Sequence, residues 1–179
     1  MMGAAHDTTD DFEPNVTELV ARNAAYASQF DEGDLQVAPR RRLAVVACMD
    51  SRMDIFKLLG LQNGEAHIIR NAGGVITDDV IRSLCLSQRA LGTREIVLVH
   101  HTDCGLHNLD EAAFRSELEA EIGIKPWWSL EAFTDPVQDV RQSIQRLHLT
   151  PFLQHKDRVS GFVYDVHDGQ LHQVDVLSD

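Results

Sequence analysis

The segment that most restricts the fold is the run from Arg42 to Cys48, in which β-forming apolar residues follow one another without alternation. A strand exposed on one face alternates apolar and polar side chains, whereas a strand buried on both faces is a continuous apolar run. Residues 95–101 show the same pattern and are the clearest strand of the chain. Two such strands indicate a parallel sheet that is covered on both faces.

Helical patterns alternate with the strands. Strands are predicted at 42–48, 66–69 and 95–101, and helices at 16–30, 53–60, 77–91, 110–122 and 135–147, of which 110–122 is acidic and amphipathic. The dipeptide Asp168-Gly169 between two further strands is a hairpin signal. This order predicts an α/β fold with a mostly parallel central sheet, flanking helices and a C-terminal antiparallel hairpin. We expect a disordered acidic tail at 1–15 and a single domain at 16–179.

Charge and cysteine content exclude several classes of protein. The 179-residue chain has 28 acidic and 16 basic residues, a formal net charge of −12, which disfavours nucleic acid and anionic membranes as partners. No apolar run approaches the ~20 residues that cross a bilayer, and the N-terminus lacks the pattern of a secretory signal. Three cysteines do not make an even disulfide framework. We therefore expect a cytoplasmic protein whose reduced cysteines fill the core, act in catalysis or bind metal.

Chemically active side chains follow two of the predicted strands. Cys48, Asp50 and Arg52 come at the end of the first strand, and the third strand ends in the segment from His100 and His101 to Cys104. The two strand ends thus carry two cysteines, at least one histidine and two carboxylates. The carboxyl ends of parallel strands meet at one edge of a sheet, where ligands bind. Thiolate and imidazole groups together bind zinc tetrahedrally. The sequence thus predicts a metal site, with Asp50 or a water molecule in the fourth position.

Three segments, in this order along the chain, resemble the signature segments of the β-class carbonic anhydrases: Cys48-Met-Asp50-Ser-Arg52, Arg70-Asn-Ala-Gly73 and His101-Thr-Asp-Cys104-Gly105. The chain is most similar to the short bacterial members. The resemblance implies one Zn²⁺ per chain on Cys48, His101 and Cys104, with Asp50 and Arg52 as a dyad beside it. It implies reversible hydration of CO2 to bicarbonate and a proton by attack of zinc-bound hydroxide. It also implies a homodimer, or a homotetramer made of two dimers, in which the N-terminal helix contacts the neighbouring subunit.

The resemblance leaves the role of Asp50 and the substrate open. Asp50 either ligates the metal and excludes water, or pairs with Arg52 and orients the hydroxide. Many family members carry a substrate-contacting glutamine at the position of Pro39, and the nearest glutamine here is Gln36. Carbonyl sulfide and carbon disulfide are close to CO2 in shape, so hydrolysis of either is the alternative function. A zinc-binding protein without catalysis is a further interpretation, which the dyad disfavours.

Other polar residues near the motifs have less specific interpretations. His100 and Asp103 either support the metal ligands or belong to a proton path, and a buried, hydrogen-bonded histidine is the simpler interpretation of His100. Gly73 and Gly74 allow the backbone to approach a small ligand closely. Cys85 lies on the apolar face of a predicted helix and is interpreted as a core residue.

Overall fold

The described part of the N-terminal unit contains one helix. A computed structural model describes residues 14–175, which divide into one unit up to Leu35 and a second unit from Gln36 onward. Helix α1 (Val16–Ala27) buries none of its side chains. It confirms the predicted helix but ends three residues earlier, because Ser28 and Gln29 form a turn. Most of the predicted acidic tail lies outside the described residues.

The second unit is built on a five-stranded sheet. Its strands are β1 (Leu43–Cys48), β2 (Ala66–Asn71), β3 (Glu95–His101), β4 (Val159–Tyr164) and β5 (Leu171–Val174). The spatial order is β2-β1-β3-β4-β5. Strands β1 to β4 are parallel to one another, and β5 pairs with β4 antiparallel. The predicted α/β fold with an antiparallel edge is therefore confirmed.

Helices connect the parallel strands. They are α2 (Ile55–Leu59), α3 (Asp78–Arg89), α4 (Glu111–Ile122) and α5 (Pro136–Leu149), with a 3-10 turn at Ala72–Gly74. The side chains of Thr77 and Asp135 accept hydrogen bonds from first-turn N–H groups of α3 and α5, which satisfies donors that a helix leaves open. Within residues 14–175, no helix has both the length and the apolar character needed to span a bilayer.

Apolar side chains pack against both faces of the sheet. On one face, Val46 and Leu98 belong to a cluster that includes residues of α3 and α5. On the other face, Val45 and Val99 pack with Met53 and with residues of the segment that follows β3. The apolar runs of β1 and β3 are continuous because both of their faces are buried, as the sequence indicates.

Helix α4 is more exposed than its amphipathic sequence leads us to expect. The predicted acidic helix forms, but none of its residues is buried in this chain. Phe114 and Ile122 are exposed, and Trp127, which follows the helix, is 88% exposed. Hydrophobic periodicity identifies the apolar face of a helix but does not reveal whether the same chain covers that face.

Candidate metal centre

The carboxyl ends of β1 and β3 carry the three predicted metal ligands. Cys48 is the last residue of β1, His101 is the last residue of β3, and Cys104 lies in the turn that follows. Their side chains are buried. One ligand atom of each residue lies within 4.8 Å of the other two, and the two Sγ atoms are 4.0 Å apart. The structure therefore brings together Cys48, His101 and Cys104 at one edge of the sheet.

The Thr102 backbone orients the imidazole ring of His101. Nδ1 of His101 lies 2.8 Å from the carbonyl oxygen of Thr102. A carbonyl oxygen only accepts hydrogen bonds, so Nδ1 carries the proton and Nε2 of the neutral ring keeps its lone pair. Nε2 is buried and has no hydrogen-bond partner among residues 14–175. A buried polar atom without a partner indicates that a group from outside the chain binds it.

These donor atoms fit a zinc ion. At a Zn–S distance of about 2.3 Å and a tetrahedral angle, two sulfur ligands lie about 3.8 Å apart, close to the 4.0 Å between the Sγ atoms of Cys48 and Cys104. A disulfide would bring the sulfurs to about 2.05 Å, and both cysteines are free. Two thiolates and an imidazole form a soft ligand set, which zinc accepts and magnesium and calcium do not favour.

The two thiols differ in how readily they ionise. The pKa of Cys48 is lowered, chiefly because the Cys104 thiol hydrogen-bonds to its thiolate, although burial opposes this effect. The same contact, together with burial, raises the pKa of Cys104. Burial disfavours the charged form of His101, but Cys48, the Thr102 backbone and Asp50 together outweigh burial and raise the pKa of His101. The cluster therefore readily forms one thiolate, the form of cysteine that binds metal.

Asp50 lies beside the cluster and is held by Arg52. Nε and Nη2 of Arg52 donate to Oδ1 and Oδ2 of Asp50 at 3.0 and 2.8 Å, and the Arg52 backbone N–H donates to Oδ1 at 2.9 Å. Oδ2 is 3.8 Å from Nε2 of His101. The Arg52 guanidinium holds the pKa of Asp50 well below its usual range. Asp50 is thus a carboxylate that faces both Arg52 and the candidate ligand atom Nε2 of His101.

Asp103 binds the other side of the same guanidinium. Nη1 of Arg52 donates to Oδ2 of Asp103, and Nη2 donates to the Asp103 carbonyl oxygen, both at 2.9 Å. Arg52 lowers the pKa of Asp103, and the carboxylates of Asp50 and Asp103 raise the pKa of Arg52. The sequence leaves the partner of Asp103 open, and the structure identifies it as Arg52.

Arg70 and Gly74 fix the backbone that carries Cys48 and Asp50. Arg70 donates from Nε to the Cys48 carbonyl oxygen at 2.8 Å and from Nη2 to the Asp50 carbonyl oxygen at 2.7 Å. Gly74 has a φ of 71°, and a Cβ atom there would lie 2.8 Å from the Cys48 nitrogen. The glycine therefore approaches the Cys48 backbone. These contacts of Arg70 are not predicted from the sequence, because they depend on the pairing of Arg70 with Ala47 across β2 and β1.

His100 and Cys85 do not contribute to the cluster. Successive strand side chains point to opposite faces, so His100 turns away from the face of His101 and binds Asp139 of α5, with Nε2 and Oδ2 2.6 Å apart. His100 is fully buried, which agrees with its interpretation as a buried, hydrogen-bonded histidine. Cys85 is half-buried in α3 and packs against the core on that side of the sheet.

Comparison with known proteins finds relatives over most of the chain. Residues 43–130 match the sequence family described as carbonic anhydrase. The chain is 50% identical over 157 residues to beta-carbonic anhydrase 1 of Mycobacterium tuberculosis, covering 88% of this chain and 96% of that protein. It is 33% identical over 152 residues to a carbon disulfide hydrolase of Acidithiobacillus thiooxidans, covering 73% and 76%. The structure of a carbonic anhydrase from Streptococcus mutans matches with a TM-score of 0.85 and 39% identity, covering 92% of this chain and 99% of that one.

Proposed function

The chain belongs to the β-carbonic anhydrase family and is a carbonate dehydratase, and we propose that Cys48, His101 and Cys104 hold the one zinc ion with which it hydrates CO2. The observation that carries the zinc proposal is the buried Nε2 of His101, which has no partner in the described part of the chain and lies beside two buried thiols. A metal ion on these three atoms satisfies all of them.

The chain's own residues orient the reacting water. When bound, zinc lowers the pKa of a water molecule and supplies hydroxide near neutral pH. Oδ2 of Asp50 faces the space beside Nε2 of His101. There it accepts a hydrogen bond from the O–H group of the reacting water or hydroxide. Because the carboxylate only accepts hydrogen bonds, it draws the O–H proton toward itself and leaves an oxygen lone pair directed at the carbon of CO2.

The ion pair with Arg52 favours this orienting role of Asp50 over direct ligation of the metal. Both carboxylate oxygens accept hydrogen bonds from Arg52, and such charge-assisted, bidentate pairs are stronger than neutral hydrogen bonds. To ligate the metal, Oδ2 would have to leave Nη2 of Arg52, which lies 2.8 Å away. Arg52 therefore acts by holding Asp50 in place.

Removal of the metal tests the zinc proposal. We expect one zinc per chain by metal analysis, and a fall in CO2 hydration of at least about 10³-fold after dialysis against a chelator, because water alone is a poor nucleophile near neutral pH. Stopped-flow measurement with a pH indicator follows the reaction. Adding one equivalent of zinc should restore it. Full activity in metal-free protein would contradict the proposal.

Hydrolysis of carbon disulfide or carbonyl sulfide is the second candidate function. The 33% identity to a carbon disulfide hydrolase favours testing it, and an apolar cleft discriminates poorly between these linear molecules and CO2. The same zinc-loaded protein distinguishes the two functions when release of hydrogen sulfide is measured beside CO2 hydration. We expect CO2 to be the better substrate, consistent with the 50% identity to a carbonic anhydrase.

We also propose that the chain forms a homodimer, or a homotetramer made of two dimers. Helix α1 buries no residue, and its apolar side chains are exposed, among them Val16, Leu19, Val20 and Tyr26. An amphipathic helix gains most of its stability from burying its apolar face. The second unit also offers a groove of mixed polarity, which Leu43, Val97, Phe162 and Leu171 line together with Arg41 and Glu95. A second copy of this chain can cover the apolar face of α1 and the groove of the second unit.

A charge on the apolar face of α1 tests the assembly. We expect Leu19→Glu to convert the assembly to smaller species in sedimentation velocity, because a buried carboxylate without a partner is unfavourable. Ala21→Glu adds the same charge on the opposite side of the helix, about 100° or more from each of the apolar residues of that face, and should leave the assembly intact. Equal sedimentation of wild type and Leu19→Glu would show that this face of α1 does not form the interface.

The cysteines support the predicted cytoplasmic location. Cys48, Cys85 and Cys104 are all free, and a reducing compartment keeps thiols in this state.

A further inference from the structure

One guanidinium in the site is shared by two carboxylates. Asp50 accepts from Nε and Nη2 of Arg52, while Asp103 accepts from Nη1 through Oδ2 and from Nη2 through its carbonyl oxygen. A rotation of the Arg52 side chain would break the contacts to at least one of the two residues. The orientation of Arg52 is thus fixed from both sides.

The backbone of Asp103 takes an unfavourable conformation to make these contacts. Its φ is 57°, in the left-handed region that residues other than glycine seldom adopt, although aspartate and asparagine tolerate it best. Such a conformation persists where the surroundings impose it, and it often occurs at functional sites. Here it accompanies two contacts from a single residue to one guanidinium.

Stability of the fold does not account for the contact between Asp103 and Arg52. The side chain of Asp103 is 69% exposed and that of Arg52 is 44% exposed, and ion pairs this exposed add little to stability. Asp103 directly precedes Cys104 in the turn that carries the metal-binding cluster. The contact is better explained by its effect on Arg52 and, through Arg52, on Asp50.

The Asp50 carboxylate can occupy two positions, one on Arg52 and one on the proposed metal ion. Its Oδ2 is bound to Arg52 and is also 3.8 Å from Nε2 of His101, so a small movement would bring it to the metal. We propose that Asp103 is a positioning residue that holds Arg52 and thereby keeps Asp50 away from the metal. This proposal rests on the proposed roles of Asp50 and Arg52. Without the Asp103 carboxylate, Arg52 loses its charged partner at Nη1 and keeps only the carbonyl contact on that side. The side chain of Arg52 is then held less firmly, and Asp50 occupies the position that water or a small anion would take.

The variant Asp103→Asn tests the proposal. Asparagine tolerates the left-handed backbone and keeps the carbonyl contact to Nη2, but it removes the charge that faces Nη1. The matched control is Asp79→Asn, because Asp79 also forms an exposed ion pair with an arginine, Arg82, at 2.8 Å, in a helix outside the site. Thermal unfolding of both variants checks that the fold is retained.

The main measurement is the binding of thiocyanate to the cobalt-substituted proteins, followed by the visible spectrum of Co²⁺. We expect thiocyanate to bind about tenfold more weakly to Asp103→Asn than to wild type, because Asp50 competes for the same position. In the zinc proteins, kcat for CO2 hydration should fall about tenfold while KM changes less than about twofold. Asp79→Asn should match wild type in both measurements.

A double variant shows whether Asp103 acts through Asp50. In an Asp50→Asn background the competing carboxylate is absent, so adding Asp103→Asn should leave thiocyanate affinity unchanged. Wild-type thiocyanate affinity in Asp103→Asn would overturn the proposal, as would a loss of turnover without a change in that affinity. Failure of the proposed function is a separate result, since wild-type protein would then fail to bind the metal or to hydrate CO2.

Discussion

Cys48→Ala protein should lose its zinc and hydrate CO2 at least about 10³-fold more slowly than wild type. The substitution removes one of two sulfur ligands, and the remaining Cys104 and His101 are too few donors to hold zinc in a closed tetrahedral site. Cys48 is also the thiol whose pKa is lowered by its neighbour Cys104, so the variant loses the thiolate that forms most readily. Metal analysis and stopped-flow hydration measure the two effects.

The control for this variant is Cys85→Ala, which makes the same chemical change in α3. Cys85 is half-buried and packs against the core, so we expect a small loss of stability, about 1 kcal/mol, with zinc content and turnover unchanged. Circular dichroism should show native secondary structure in both variants. A full equivalent of zinc in Cys48→Ala would remove Cys48 from the ligand set.

Gly74→Ala should lower the free energy of unfolding by about 3 kcal/mol, from backbone strain together with a steric clash. The φ of 71° is strained for alanine, and the new Cβ would lie 2.8 Å from the Cys48 nitrogen and 2.9 Å from the Ala47 carbonyl carbon. Both are backbone atoms of β1, so neither can move without displacing the strand that ends in Cys48. Urea unfolding of the metal-free protein measures the loss.

Gly92→Ala separates strain from the steric clash. Gly92 also has a positive φ, 76°, but no atom lies within 4 Å of the position a Cβ would take. We expect a loss of about 1 kcal/mol there, from backbone conformation alone. The difference between the two losses of unfolding free energy measures the cost of the steric clash at Gly74. Equal losses would show that the β1 backbone moves to accommodate the new Cβ atom without loss of stability.

The sheet and the cluster of candidate metal ligands could be predicted because both depend on local pattern. Continuous apolar runs identified β1 and β3 as doubly buried strands, and the structure confirms them. Parallel strands end at the same edge, so the residues that follow them were expected to meet. That rule was sufficient to predict that two cysteines and at least one histidine lie together, and the family resemblance favoured His101 over His100.

The contacts of Arg70 and Asp103 could not be predicted in the same way. Arg70 reaches the Cys48 and Asp50 carbonyls because β2 pairs with β1 in one particular register, and sequence does not give the register between distant strands. Asp103 reaches Arg52 from a left-handed backbone conformation, which no periodic pattern signals. The exposed faces of α1 and α4 show a further limit, because periodicity does not reveal whether the covering surface lies in the same chain.

The loop between β1 and α2 is held in place by hydrogen bonds to its main-chain atoms. Arg70 binds the carbonyl oxygens of Cys48 and Asp50, and the Met49 nitrogen donates to the Asn71 carbonyl oxygen at 2.8 Å. The side chains of Met49 and Ser51 are exposed and take no part in these contacts. Their identity can therefore change without altering the path of the chain that places Cys48 and Asp50. Substitutions at these two positions can change the surface beside the cluster of Cys48, His101 and Cys104 while the geometry of the cluster is preserved.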